Sequence, residues 1–405
     1  MQFLTRGLLL LLLFFGAASG QVLPVPMPVP VAPITPVDPK TDLALELLVV
    51  TSEPEIRAGR LEKIQAEQRF LLPITSVIRS RAEQKLSSGL EAALLEIAQK
   101  VQLPSLDARF YQIQNQWVAK QRSAWRLDLA ATRAAVLTAL QTQGLTARAV
   151  LSSQPPKRTV EDFYKQGIRH FFGGGTSNFA GSPKYRVQNI IAAAKQLDGR
   201  YLESRAVFAF NQSITLSAKQ GFVLGNIIRG NNLSKELGGG ICQVSTTVWR
   251  AAYNSGLPIL ERHQHSYRVA YYDPPGFEAT VFAPSKNLRF RNDTTSALWM
   301  QLEWDVDTGQ LGLYFFGVRP ERQVQISQPR ISNEKPAPRD RFVPDVRVKL
   351  GDVQIVSGAE AGMQTRIDRV VQYNSGRIIR DSTKSRYVPW AAIYAVHPKD
   401  KRIKK

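Results

Sequence analysis

The chain has 405 residues, a length typical of two or three domains. Hydrophobic residues make up 43% and charged residues 21%, which excludes a wholly disordered or fibrous protein. The formal net charge of +20 indicates a polyanionic neighbour, such as nucleic acid, an acidic envelope polymer or an anionic membrane surface. The single cysteine, Cys242, excludes an internal disulfide framework and any cysteine-rich zinc or iron–sulfur site.

The N-terminus has the pattern of a secretory signal peptide. Arg6 precedes an apolar run over 7–16, and small residues follow over 17–20. The apolar run is short for a permanent span, although an uncleaved anchor is the alternative, and no later stretch of sequence is apolar enough to cross a membrane. We therefore predict a signal peptide at 1–20 and a protein exported to the cell envelope, periplasm or extracellular space. Export weakens the nucleic-acid interpretation of the charge, so we expect no nucleic-acid partner.

Breaks in composition and periodicity predict an α+β fold of several domains. These are an N-terminal mixed domain, a central α+β domain and a C-terminal β-rich module. The boundaries are a signal peptide (1–20), a proline-rich linker (21–40), a first domain (41–160), a second domain (161–325), a polar linker (326–342), a β module (343–398) and a basic tail (399–405).

Local patterns predict the main elements within these domains. The first domain should contain a strand at 45–50, a helix over 88–100 and a helix capped by Asp128. In the second domain, the helix over 186–197 has a regular apolar stripe, and 298–302 and 311–316 should form a hairpin. In the β module, alternation predicts strands over 346–350 and 365–373. The basic tail is either a solvated end or an electrostatic tether to an anionic envelope polymer.

The strongest candidate for chemistry is the run Gly238-Gly239-Gly240-Ile241-Cys242-Gln243. Three consecutive glycines favour a tight turn whose amides could bind an oxyanion, and a helical stripe begins directly after them. Cys242 should therefore lie in the first turn of a helix, where unsatisfied amides and the helix dipole stabilise a thiolate nucleophile. The alternative is a buried structural cysteine. The second glycine run, 173–175, has no cysteine beside it and predicts a flexible turn.

Two of the four histidines follow this run, and they offer a base for the thiol. If 260–272 is a strand, His263 and His265 point to the same face. Glu278 could orient one imidazole, which would complete a Cys–His–carboxylate set, or it could be a solvated carboxylate. A zinc site using the same residues is a rival interpretation, but the glycine loop favours a nucleophile, so we predict no metal and no cofactor.

At these residues the sequence resembles the VanW family over roughly 160–320. The resemblance rests on 176–182, 186–190, 208–211, 238–247, 261–266 and 276–281. It implies an envelope protein whose glycine-rich cysteine motif is similar to that of L,D-transpeptidases, which form a thioester with a peptidoglycan stem peptide. The implied roles are nucleophile for Cys242 and base for His263 or His265. The family usually has Asp where this chain has Glu278.

The flanking regions resemble other envelope modules. Residues 106–110 and 127–128 are similar to the peptidoglycan-binding module that often precedes VanW domains. Gly362, 369–371, Gly376 and 387–389 are similar to G5-type β modules.

Two functions are compatible with these sequence features. The first is an exported cysteine-dependent acyl transferase acting on peptidoglycan. The second is a non-catalytic protein that binds peptidoglycan or another wall polymer and has a structural Cys242. Both have peptidoglycan as the partner, with anionic envelope polymers as a further one.

Overall fold

The computed structural model describes residues 44–229 and 232–403. The predicted signal peptide and the proline-rich linker lie outside these residues. Within the described residues, no helix is both long enough and apolar enough to span a membrane.

The first part of the chain contains a mostly antiparallel five-stranded sheet and three helices. Its elements are β1 (Glu46–Arg57), β2 (Arg60–Leu71), α1 (Ile74–Glu83), α2 (Ser88–Val101), β3 (Leu106–Ile113), β4 (Gln116–Arg122), β5 (Ala124–Leu127), α3 (Leu129–Gln141), β6 (Thr146–Arg148) and β7 (Leu151–Gln154). The sheet order is β2-β1-β4-β3, and β6 pairs in parallel with β1. Asp128 caps α3 as predicted, because its side chain accepts from the Ala131 amide at 2.9 Å.

The second part contains the cysteine. Its elements are α4 (Val160–Lys165), β8 (His170–Asn178), α5 (Lys184–Leu197), β9 (Arg200–Leu202), β10 (Val207–Ala209), α6 (Phe210–Ser213), β11 (Leu224–Arg229), β12 (Asn232–Leu237), α7 (Ile241–Asn254), β13 (Ile259–Glu261), β14 (Arg289–Arg291), β15 (Leu298–Asp305) and β16 (Gln310–Gly317). The largest sheet has the order β8-β16-β15-β9, and α7 packs on β8 and β16. The predicted hairpin is confirmed as β15 and β16.

The third part is all β and lies against the second. Its strands are β17 (Arg322–Ile326), β18 (Arg330–Lys335), β19 (Arg341–Pro344), β20 (Val353–Ser357), β21 (Gly362–Tyr373), β22 (Ile378–Tyr387) and β23 (Ile393–Val396). Strand β21 pairs with β17, β18 and β22, while β23 pairs with β19 and β20. The chain as a whole is a β-rich mixed fold.

Buried contacts join the three parts. Between the first and the second, the ring of Phe110 stacks on Phe316 at 3.9 Å, and the buried Gln301 bonds both backbone groups of Phe110 at 3.0 and 2.7 Å. Between the third and the second, the buried Arg369 donates to the carbonyl oxygens of Tyr253 and Leu257 at 3.1 Å. The third part is therefore packed against the second through buried hydrogen bonds.

Three sequence predictions about local structure are wrong. The predicted linker at 326–342 contains β18 and the start of β19, because the polar side chains of an exposed strand leave its backbone free to pair with a neighbour. Residues 346–350 form turns, since the Asp345 side chain bonds the Arg347 amide at 2.9 Å. The glycines at 173–175 lie in β8, where a Cβ on Gly175 would lie 2.3 Å from the Ala251 nitrogen of α7.

Candidate functional site

Helix α7 begins directly after the glycine turn, as the sequence predicted. Gly238 and Gly240 have φ values of +89° and +126°, a region that side chains other than glycine rarely adopt. The Gly238 carbonyl accepts from the Ile241 amide at 3.0 Å, and this bond closes the turn. Cys242 is the second residue of the helix, among amides that have no acceptor inside the helix.

The Cys242 thiol is half-buried and bonded on one side. Its Sγ lies 3.3 Å from the Thr280 Oγ1 and 3.7 Å from the carbonyl oxygen of Val281. The His265 imidazole also lies beside the thiol, close enough for its charge and hydrogen bonding to lower the Cys242 pKa. The thiol at the start of α7 thus contacts the segment that carries Thr280 and Val281.

Glu278 bonds His265 through both of its carboxylate oxygens. The Glu278 carboxylate is 2% exposed, and its Oε2 bonds the Nδ1 of His265, while its Oε1 accepts from the His265 amide at 3.2 Å. The imidazole also stacks on the Tyr272 ring, with centroids 5.2 Å apart. Because Nδ1 is taken by the carboxylate, Nε2 is the nitrogen left for the thiol.

The electrostatics of this set favour a thiolate–imidazolium pair. Burial raises the pKa of Cys242, but the interaction with His265 and its charge, together with the hydrogen bonds of Thr280 and Val281, hold that pKa below its ordinary value. Burial lowers the pKa of His265, but the Glu278 charge and the bonds to Cys242 and Glu278 raise it to about 9. Burial raises the pKa of Glu278, but the His265 charge leads the effects that lower it overall.

The third part of the chain contributes to the surroundings of Glu278. Tyr387, at the end of β22, accepts from the Gly276 amide at 2.8 Å and also bonds the Glu278 carboxylate. Arg262 donates to the Glu278 carbonyl oxygen at 2.6 Å and to Ser385 Oγ at 2.8 Å. Sequence reasoning missed Tyr387, since more than a hundred intervening residues separate it from Glu278 and no local pattern links the two.

The predicted role of His263 is not supported by its contacts. Its Nε2 bonds Glu261 Oε1 at 3.0 Å, whereas His265 bonds Cys242 and Glu278. The two rings do not share a strand face because 260–272 is not one strand: β13 ends at Glu261, a single bridge joins His263 to Thr280, and Ala270–Tyr272 is a 3₁₀ turn. The rule that residues two apart on a strand point to the same face therefore does not apply to His263 and His265.

Two more residues at the site were missed as functional candidates. Arg186, in the first turn of α5, donates to Gln243 Oε1 at 2.7 Å, and its guanidinium lies 4.6 Å above the Tyr271 ring. Gln243 follows Cys242 and is fully buried. A glutamine on the buried face of a helix must find polar partners, and this was the one signal in the sequence that pointed to such a contact.

The structure also has a cavity whose lining does not include Cys242. It has a volume of about 700 Å³ and lies beside Glu261. Its lining includes Arg200, Tyr201, Gln212, Asn287 and Arg289. Among the described residues, no three His, Cys, Asp or Glu side chains are grouped so that they could hold a metal ion.

Comparison with known proteins assigns the segment around the thiol. Residues 185–314 match the family model described as VanW like protein. The chain contains a VanW-like domain. The match covers all four residues of the predicted set, Cys242, His263, His265 and Glu278.

Two curated relatives are similar to the chain over parts of their length. YoaR of Bacillus subtilis (strain 168) is 38% identical over 115 residues, which are 28% of this chain and 38% of YoaR. The vancomycin B-type resistance protein VanW of Enterococcus faecalis (strain ATCC 700802 / V583) is 26% identical over 151 residues, which are 35% of this chain and 53% of that protein. The chain thus spans about half or less of each relative.

A G5 domain of an IgA1 protease is similar in structure to part of the chain. It covers 20% of this chain and 94% of the G5 chain, with 14% identity and a TM-score of 0.12. A score this low does not assign the fold, so the G5-like nature of the third part stays a prediction. Residues 185–314 are the part of the chain that a family model matches.

Proposed function

We propose that the protein is an exported cell-envelope enzyme that transfers acyl groups on peptidoglycan through a thioester on Cys242. The observation that carries the proposal is the continuous line from the thiol of Cys242 through His265 to the buried Glu278. A cysteine at a helix start, a base and an orienting carboxylate are the parts that covalent catalysis on carbonyl groups requires.

In the first half-reaction, the thiolate attacks the carbonyl carbon of a peptide bond. The new S–C bond forms a tetrahedral oxyanion, for which the Cys242 amide and the glycine loop 238–240 are the candidate donors, since the Ile241 and Gln243 amides already bond Gly238 and Gly240. The C–N bond then breaks, and the proton on His265 moves to the leaving amine. The products are a thioester on Cys242, a free amine and a neutral imidazole.

In the second half-reaction, an acceptor amine or water attacks the thioester. Neutral His265 takes a proton from the acceptor, the C–S bond breaks, and the thiolate–imidazolium pair is restored. Glu278 stays ionised throughout and stabilises the imidazolium whenever it forms. His263 has no step in this sequence, because its ring nitrogen bonds Glu261.

Trapping the thioester is the direct test. We would incubate the mature protein with muropeptides released from purified sacculi, quench in acid and measure the intact mass. We expect an acyl adduct on wild-type protein, and none on Cys242→Ala. Absence of any adduct on the wild type, with muropeptide composition unchanged after long incubation, would contradict acyl transfer.

A non-catalytic wall-binding function is the second candidate, and the net charge of +20 favours it. In this case the mature protein should co-sediment with sacculi, and Cys242→Ala should bind as well as the wild type. Binding should weaken as salt rises from about 50 to 500 mM, because salt screens surface charges. Equal binding at both salt concentrations would show that the charge plays no part.

The zinc interpretation is tested on the same preparation. Stoichiometric zinc in the purified protein, lost on Cys242→Ala and His265→Ala, would favour a structural metal site over a nucleophile.

A further inference from the structure

Arg186 is a cation that contacts the residues on either side of Cys242 in α7 and its turn, and it takes no part in the Cys242–His265–Glu278 line. Its guanidinium donates to Ser182 Oγ and to Gln243 Oε1 and stacks on Tyr271. Gln243 is itself anchored, since its amide donates to Ser177 Oγ at 2.7 Å and to the Asn178 carbonyl oxygen at 3.1 Å. The arginine is therefore held in one orientation before any ligand arrives.

The stem of Arg186 packs on the glycine turn that leads into Cys242. A Cβ on Gly240 would lie 3.0 Å from the Arg186 carbonyl oxygen and 3.1 Å from its Cγ. Gly240 is the N-cap of α7, so the close approach brings the arginine to the turn that carries the thiol. Tyr271 lies near both groups: burial raises its pKa first, the Arg186 charge lowers it, and the Cys242 charge raises it further.

Arg186 has no anionic partner among the described residues. No described carboxylate lies within 4.0 Å of its guanidinium nitrogens, whereas Arg109 pairs with Asp198 at 2.6 Å and Arg322 with Asp293 at 2.8 Å. Its protein contacts are neutral oxygens and one ring face. A half-buried, pre-oriented guanidinium with unused N–H groups is suited to bidentate binding of a carboxylate.

We propose that Arg186 binds a free carboxylate of the acyl donor next to the bond that Cys242 attacks. The inference rests on the proposed function and names its substrate class: peptides whose residue on the leaving side of the scissile amide carries a free carboxylate. Arg186 is then a substrate-binding residue that orients this carboxylate while the carbonyl carbon faces the thiolate. When the C–N bond breaks, the leaving amine and its carboxylate depart together.

The first test compares two alkylating reagents that differ in one group. Iodoacetate carries a carboxylate and iodoacetamide a neutral amide, and each gives a thioether on Cys242 with release of iodide. We would measure the ratio of the two rates for wild type, Arg186→Gln, Arg186→Lys and Arg291→Gln. Arg291 is an exposed arginine of β14 in the same domain, so its variant has the same net charge as Arg186→Gln.

We expect the iodoacetate-to-iodoacetamide ratio to fall about tenfold in Arg186→Gln, the size of a lost charge-assisted hydrogen bond. In Arg186→Lys the ratio should fall severalfold, because lysine keeps the charge but not the planar guanidinium that forms two parallel hydrogen bonds. Arg291→Gln should match the wild type. The His265 imidazolium also attracts iodoacetate, so the decisive quantity is the difference between variants. An unchanged ratio in Arg186→Gln, or an equal fall in Arg291→Gln, overturns the proposal.

The rate of alkylation by iodoacetamide shows whether a substitution has changed the reactivity of the Cys242 thiol. If this rate is unchanged in Arg186→Gln, the substitution has left Cys242 and His265 intact. If it collapses, Arg186→Lys becomes the deciding variant, and a wild-type ratio there overturns the proposal.

The second test uses acyl-donor peptides that end in a carboxylate or in a carboxamide beside the scissile bond. We expect the carboxylate peptide to acylate wild-type protein at least tenfold faster than the carboxamide peptide, and Arg186→Gln to remove that preference. Failure of both peptides to form a thioester would count against acyl transfer and leave the alkylation result standing. Equal rates with both peptides would contradict carboxylate binding by Arg186 and leave the proposed acyl transfer standing.

Discussion

Glu278 and His265 are joined twice, once through the side chain and once through the backbone. One carboxylate oxygen bonds the Nδ1 of the imidazole and the other accepts from the His265 amide at 3.2 Å. The double contact fixes both the position of the chain at His265 and the rotation of its ring. The glutamate side chain is long enough to make both contacts from one residue.

The reactivity of Cys242 should depend on His265 and not on His263. Loss of the imidazole in His265→Ala removes the charge that stabilises the thiolate, so the Cys242 pKa should rise. The iodoacetamide rate at about pH 7 should then fall about tenfold for each unit of that rise. The measurement is the pH dependence of alkylation from about pH 5 to 10, followed by mass spectrometry.

His263→Ala is the matched control for this experiment, because the same side chain is removed two residues away. Its alkylation profile should overlay that of the wild type, since its ring nitrogen bonds Glu261. A greater loss in His263→Ala than in His265→Ala would contradict the assignment of the base.

Neutralising Glu278 should weaken the ion pair between the thiol and the imidazole. Glu278→Gln removes the negative charge that raises the His265 pKa to about 9, so that pKa should fall. With less imidazolium beside it, the thiolate becomes less favourable, and alkylation near pH 7 should slow. The His265 pKa is measurable by NMR of the ring protons in both proteins.

Glu278→Asp tests the effect of side-chain length separately from the effect of charge. It keeps the carboxylate but shortens the side chain, so the double contact with His265 should be lost in part. A His265 pKa in Glu278→Gln equal to that of the wild type would disprove the coupling.

Tyr387 should act as a positioning residue for Glu278. Tyr387→Phe keeps the buried ring and removes the hydroxyl that bonds Glu278 and the Gly276 amide. We expect a loss of about 1–3 kcal/mol in the free energy of unfolding, because the amide loses its acceptor in a buried place. The pH profile of alkylation should shift as well, which a purely structural role would not cause.

Tyr373→Phe is a useful comparison for Tyr387→Phe. Its hydroxyl lies in the same part of the chain but bonds Asp293, not Glu278. It should lower stability without moving the alkylation profile. An alkylation profile that moves equally in both variants would place Tyr387 outside the site.

Gly240→Ala should disturb the helix start that carries the thiol. The residue has φ of +126°, and its Cβ would lie 3.0 Å from the Arg186 carbonyl oxygen. Backbone strain of this kind costs about 1–3 kcal/mol, measurable by urea denaturation. Gly351→Ala is the control, because it has φ of +99° but no atom within 4 Å of its Cβ position. The difference between the two variants isolates the contacts with Arg186 and Ile190, and equal losses would show that these contacts have no effect.

Local sequence patterns were enough to predict the start of α7 and the place of Cys242 on it. The glycine run, the apolar stripe after it and the single cysteine lie within a dozen residues, so their geometry follows from backbone conformation alone. The same holds for the Asp128 cap of α3 and for the β15–β16 hairpin. The confirmed predictions depend on interactions between near neighbours in the chain.

Which histidine lies beside Cys242, and which residues surround it, depend on tertiary structure. His265 meets Cys242 because the chain leaves the strand after Glu261, and Glu278 meets His265 because 276–281 folds back beside it. Tyr387 and Arg186 reach the site from distant parts of the sequence. Each of these contacts joins segments whose separation in the chain carries no periodic signal. These contacts form only when segments distant in the chain pack together, and the contact with Tyr387 also requires the third part of the chain to pack against the second.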